Sequence, residues 1–166
     1  MNAQEVIDYL ELQPLPVEGG YYRQTHRADE IIDKKHFKVD YDEDKAIYTA
    51  IYYLLTPDTQ SALHWLPTDE IFHFYLGDPV TMLNLFETGT SELITLGQDI
   101  LKGHQVQYKV PGRTWQGSYL QEGGSFALMG TTMAPGFDFS DFKAADQEAL
   151  ITQFPEQAEL IRQLSD

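Results

Sequence analysis

His64 and Glu70 stand six positions apart across the turn Leu66-Pro67-Thr68-Asp69, with strand-forming sequence on both sides. Histidine titrates near neutrality and is the commonest general base in proteins. A neighbouring carboxylate orients its ring, and a tyrosine hydroxyl would supply the opposing proton. Tyr75, Tyr119 and Tyr21 are the candidates for that tyrosine, and the sequence does not choose among them. On adjacent antiparallel strands a His and a Glu so spaced can face each other across the sheet. Such a pair on an inward face is costly unless it is hydrogen-bonded or functional. A second reading therefore stays open, in which the two satisfy each other and line a wet cavity without catalysis.

Around this pair, strand parity sorts the neighbours. Glu70, Phe72 and Phe74 share one face of their strand, so Phe72 would line the same space and His73 would point away unless a bulge intervenes. Tyr21, Arg23 and Thr25 recur at period two. If that face is inward, Arg23 could grip a carboxylate or phosphate in bidentate fashion with Thr25 beside it; a surface ion pair is the alternative. Trp65 and Trp115 read as packing anchors, and His26, His36 and His104 as loop or turn residues without a role. Phe137-Asp138-Phe139-Ser140-Asp141-Phe142 reads as a chain crossing the exterior with its rings packed inward.

The elements that must position these groups are mostly short strands. Ala46–Leu55, Ser61–Trp65, Glu70–Leu76, Val80–Phe86, Ser91–Leu96, Gln105–Val110, Trp115–Leu120 and Phe126–Met133 are apolar, β-branched or aromatic runs. Gly and Pro punctuate them at Gly77-Asp78-Pro79, Gly89, Gly97, Gly103, Pro111-Gly112 and Gly123-Gly124, the pattern of a sandwich or closed barrel. Helical spacing over Asn2–Leu12 predicts a short helix ended by Pro14 and Pro16. Two more are predicted over Lys143–Phe154 and Pro155–Leu164, joined at Pro155. The charged stretch Ala28–Asp44 reads as a solvated loop. The core is expected from Ile47, Ile51, Leu55, Phe72, Phe74, Leu83, Leu85, Val110, Phe126 and Leu128.

Four stretches together carry a resemblance. His64, Glu70 and Gly77 fall at positions of the first motif of the cupin superfamily, with Leu66 where that motif has a second His. Pro111-Gly112-Arg113-Thr114-Trp115-Gln116 resembles the second motif, with Gln116 in place of its His and Arg113 in place of its Gly. With Pro16–Arg23 and Ala134–Phe142 added, nearly the whole chain, Val6 to Pro155, looks like the cupin-5 family of small cupins without an assigned reaction. The resemblance implies an all-β double-stranded β-helix, a jelly-roll barrel with short N- and C-terminal helices, in one domain over 1–166 and often dimeric. It also implies that two of the four usual metal ligands are missing. No cofactor is therefore expected, and a divalent metal, if one binds, would sit on His64, Glu70 and Gln116.

Composition narrows the classes further. No cysteine is present, which excludes disulfides, thiolate zinc sites and Cys nucleophiles. The 26 acidic residues against 11 basic ones give a net charge of -15, which repels nucleic acid. No signal peptide or membrane-length apolar run is legible, so the expected compartment is the cytoplasm and no membrane partner is expected. Tyr48, Tyr52 and Tyr53 place aromatic rings on both faces of one run, which predicts a homodimer. Three functions remain. The first is a small-molecule-binding cupin, with Tyr75 or Tyr119 opposing His64, and Arg23, Thr25, Phe72 and Gln116 as ligand contacts. It would act as a metal-independent isomerase or epimerase on a carbohydrate-like or sugar-nucleotide ligand, as similar cupin epimerases do with a His and a Tyr. The second is a metal-dependent oxygenase or hydrolase, and the third a non-catalytic binding or structural cupin.

Overall fold

A computed structural model describes residues 1–165. The chain begins with helix α1 (Ala3–Tyr9), capped by Asn2 and Glu5, which exchange hydrogen bonds with each other's backbone amides. Thirteen strands follow, paired as a two-sheet sandwich with a small ribbon at one end. The first sheet contains β1 (Gln13–Pro14), β2 (Tyr21–Arg27), β5 (Thr49–Leu55), β12 (Ala127–Met133), β7 (Glu70–Gly77) and β10 (Gln107–Val110), in that spatial order. The second runs β13 (Lys143–Ala144), β6 (Gln60–Trp65), β11 (Trp115–Leu120), β8 (Val80–Leu85) and β9 (Ser91–Leu96). The ribbon pairs β3 (Ile31–Ile32) with β4 (Lys45–Ala46). All named strand pairs are antiparallel, and non-consecutive neighbours abound, as a jelly roll requires.

Inward positions alternate along each strand and explain the packing. Tyr53 and Leu55, Phe72 and Phe74, and Ala127 and Met129 meet Val80, Met82 and Leu120 between the sheets. The outward positions of the second sheet are also apolar. Leu63, Leu83 and Leu85 would form an exposed patch if left bare, and helices α2 (Gln147–Gln153) and α3 (Ala158–Gln163) cover them with Leu150, Phe154 and Ile161. On the first sheet Val6 of α1 and Leu12 just beyond it seal Leu54 and Leu128 in the same way.

Four expectations change. The run expected as one strand over Ala46–Leu55 is two, because Tyr48 turns its carbonyl to the Ala28 amide. Ile47 is half-buried there rather than core. Lys143 and Ala144, expected as helix, pair with Trp65 and His64 as the edge strand β13. The segment Ala28–Asp44 is not wholly solvated, since Tyr41 is buried and bonds Thr68 through their hydroxyls (2.5 Å). Beside it Lys45 is also buried, its Nζ 2.5 Å from Asp141 Oδ2 and 4.7 Å from the Tyr41 ring centre. Buried charges persist only when paired in this way. Asp141 belongs to the Phe137–Phe142 segment, so the pair ties that segment to the base of β4.

Candidate functional site

The cavity lies between the sheets at the end where β6 and β7 meet, with a volume of about 210 Å³. His64 comes from β6 in one sheet and Glu70 opens β7 in the other. Gln116 on β11 pairs directly across from His64, and its Nε2 donates to Glu70 Oε2 at 2.7 Å, closing the two sheets over a polar contact. Next to it the register slips between Gln116 and Ser118. This bulge lets Ser61 and His64, three positions apart, both take inward places. Thus the structure brings His64, Glu70, Phe72 and Gln116 together.

His64 is only 2% exposed. Its Nδ1 lies 2.8 Å from the Ala62 carbonyl oxygen, which can only accept, so Nδ1 carries a proton, and Nε2 is the nitrogen that presents the lone pair whenever the ring acts as a base. Phe142 stacks on the ring with centroids 5.2 Å apart and fixes its tilt. Burial pushes the Glu70 carboxyl above the usual carboxylate range, and the Glu18 charge pushes the same way. His64 and hydrogen bonds from Thr131 and Gln116 oppose that rise.

Several expected contacts lie elsewhere. Tyr75 is 44% exposed on the outer face, edge-on to Tyr52 and stacked on His73, because strict alternation from the inward Phe72 and Phe74 puts it on the same outer face as His73. Tyr119 is outward on β11 and packs against the cluster covered by the C-terminal helices. Arg23 points out over the Tyr52 ring and pairs with Glu11 at 3.4 Å. Thr25 bonds the Ala50 carbonyl at a bulge of β2, and the inward positions of that strand are Tyr22 and Gln24. Parity put Tyr21, Arg23 and Thr25 on one face, but that face is the outer one. His73 does point away, to Thr132.

The wall holds residues that strand parity alone did not select. Glu18 enters from the turn before β2, Tyr22 and Tyr53 supply the cavity's phenols, and Phe137 and Phe139 form its mouth. Phe139 is 61% exposed while lining the cavity, which places it at the rim. The segment expected on the barrel exterior is therefore the cavity's cap. Tyr53 donates to the Gly19 carbonyl at 2.9 Å, and burial drives its phenol well above the ordinary value, with Glu18 adding to the rise. The signal for Glu18 was present in the sequence: Gly19-Gly20 behind it supply the left-handed backbone (φ +93° and +71°) that turns the chain into the barrel.

The donor set does not fit a tightly held divalent ion. It offers one imidazole nitrogen, the Glu70 carboxylate already bonded to Gln116, the Glu18 carboxylate already bonded to Ser61, and an amide, while Leu66 lines the cavity where a second imidazole would stand. Among the described residues no group of three His, Asp or Glu side chains is placed to share a metal.

A jelly roll with an inward His on one sheet, a Glu on the other and a motif turn between them is the arrangement of a cupin. Residues 4–145 match the family described as Cupin superfamily (DUF985), the cupin-5 family, and the chain belongs to it. The crystal structure of Protein SO0799 from Shewanella oneidensis is similar at a TM-score of 0.87 and 32% identity, covering 100% of this chain and 98% of that one. A hypothetical protein from Leishmania major also reaches 0.87, at 28% identity and 99% of both chains. The uncharacterized protein YML079W of Saccharomyces cerevisiae is 27% identical over an alignment of 132 residues that covers 75% of this chain. The match spans 66% of the yeast protein's own length. Among the described residues no helix is long and apolar enough to cross a membrane.

Proposed function

We propose that this cupin binds a small organic molecule in the barrel cavity and performs metal-independent proton transfer on it, in the manner of an isomerase. His64 carries the reading. It is a buried ring whose tautomer is fixed by Ala62, leaving the Nε2 lone pair to act as base. The opposing acid is assigned to Tyr22, since Tyr75 and Tyr119 face away and Tyr53 already donates to Gly19. Tyr22 lies on the six-stranded sheet and His64 on the five-stranded one, so a ligand would sit between them. A sugar nucleotide suits the cavity poorly, because no lysine or arginine among the described residues lines it to hold a diphosphate.

The test is a thermal-shift screen of metal-free protein against small carbonyl and hydroxy compounds, alongside an Ile51→Trp variant that puts a larger ring into the cavity. A ligand at 100 times its Kd should add about 2.7 kcal/mol, and Ile51→Trp should lose the effect. Hits should exchange a carbon-bound proton for deuterium in the wild type and not in His64→Ala. Hits retained in Ile51→Trp would place binding elsewhere, and one equivalent of metal needed for binding would favour the metal-dependent reading.

A further inference from the structure

We propose that the ligand is a small organic ammonium ion, a primary amine carried on an apolar body about the size of one ring, and that Glu18 selects it. This inference rests on the reading of the cavity as a ligand site and narrows what can occupy it.

Hydrogen-bond polarity is the first argument. The charged or basic groups that face the cavity are acceptors: the Glu18 and Glu70 carboxylates and the His64 Nε2 lone pair. Gln116, beside Glu70 and 2% exposed, spends its amide hydrogen on that carboxylate and leaves its Oε1 buried with no partner among the described residues. Thr49, Thr131 and the Gln24 amide can act in either sense. A wall this rich in acceptors is satisfied by a ligand rich in donors, and an ammonium presents three donors and no acceptor.

Charge points the same way. Two carboxylates line the cavity, and among the described residues the only side chain lining it that can take a positive charge is His64. The nearby cations are engaged elsewhere, Arg23 with Glu11 and Lys45 with Asp141. Glu18 and Glu70 each accept a hydrogen bond but neither has a Lys or Arg partner among the described residues, and a bound cation lowers the cost of keeping such carboxylates charged in a partly enclosed space. The rest of the lining includes the aromatic rings of Tyr22, Phe72, Phe137 and Phe139, whose faces attract cations and also accept an apolar body. As for size, an apolar core cavity of roughly 150 Å³ takes benzene, so about 210 Å³ takes a ring with a short amine arm.

Glu18 is built into place. Ser61 donates to its Oε1 at 3.0 Å, and its backbone carbonyl accepts from the Ala62 amide at 2.7 Å. Ala62 is also the residue that holds His64, so one two-residue stretch of β6 sets both the carboxylate and the base. On the other side Val17 adopts φ +70°, unfavourable for a β-branched residue, and a Cβ at Gly20 would come within 2.8 Å of Tyr53 Oη.

The test uses three near-isosteric probes: 2-phenylethylamine, 2-phenylethanol and phenylacetate. Their affinities are measured by calorimetry in about 0.15 M salt, which screens attraction to the acidic surface beyond roughly 8 Å. Chemical-shift mapping locates each probe. In the wild type the amine should bind in the cavity at least tenfold more tightly than the alcohol, and the acid not at all. Glu18→Gln should remove most of the amine's advantage and leave the alcohol unchanged, and Ser61→Ala, which loosens Glu18 without changing its charge, should remove part of it. An alcohol that binds in the cavity as tightly as the amine would overturn the ammonium assignment and leave the ligand-site reading intact. An amine preference that survives Glu18→Gln in folded protein would overturn the role of Glu18. If none of the three perturbs a cavity residue at millimolar concentration, both the assignment and the reading fall.

Discussion

At the scale of single residues, Ala62 does for His64 what a second ligand would do in a metal site: it decides which nitrogen is presented. Glu70 is the residue whose ionisation the fold resists. Its pKa is raised by burial, so the folded state holds that proton more tightly than the unfolded chain does. The resulting stability is fully present below the ordinary glutamate range and is lost as pH rises through the elevated folded value. Glu70→Gln keeps an acceptor for Gln116 and removes the charge. It should melt above the wild type at pH 8, by about 1 kcal/mol or 2–4 °C, with the gap closing at pH 4, while ligand binding is lost. A variant less stable than the wild type at both pH values would mark Glu70 as a structural partner of Gln116 alone. Of this site, His64, Glu70, Phe72 and Gln116 were legible because motif spacing and strand parity act locally. Tyr119, Arg23 and Thr25 were not assigned to the right face, because the sequence does not say which face of a two-sided apolar strand is covered by a helix and which lines the cavity; Tyr75 shares the outer parity of His73 and lies on that face.

At the scale of elements, the strands were legible almost to their ends, since Gly and Pro stop them at positions where the ladder also stops. Ser91–Leu96 and Trp115–Leu120 match their expected bounds. The turn before β11 shows a local conflict. Arg113 takes φ +68° at the place where the second cupin motif has glycine, and its amide donates to the Leu66 carbonyl at 2.7 Å. A left-handed backbone here carries a long side chain where glycine would be free of strain. Arg113→Gly should therefore stabilise the protein by about 0.5–1 kcal/mol, read as a higher denaturant midpoint with an unchanged m-value. A loss of stability would mean that the arginine side chain makes up for its backbone. The cap was the element least legible in sequence. Its position depends on Lys45 reaching Asp141, a contact between residues 96 apart, and on Phe142 meeting His64. No periodicity within either segment records such a pairing.

At the scale of the molecule, the expectation of a second copy keeps a structural basis, although Tyr53 has gone to the core. Tyr75 and Tyr48 remain 44% and 43% exposed, and Tyr52 and Tyr75 meet edge-on outside the six-stranded sheet. A two-fold copy laid on that face would cover Tyr52 and Tyr75, and light scattering of dilute protein should give twice the 19.0 kDa chain mass. A value of 19.0 kDa would show that the face stays in water.

The cap also bears on timing. Its base is anchored by the buried Lys45–Asp141 pair, and of the two rings at its mouth Phe139 is the more exposed. A ligand would then enter and leave past one ring rather than by unseating the whole segment. Such a ring acts on both directions of passage alike. Phe139→Ala should raise the association and dissociation rates together, by about the same factor, and shorten residence time while Kd moves little. Stopped-flow binding of a fluorescent cavity ligand separates the cases. A change confined to dissociation would make Phe139 part of the wall, and a matched change in both would make it the door.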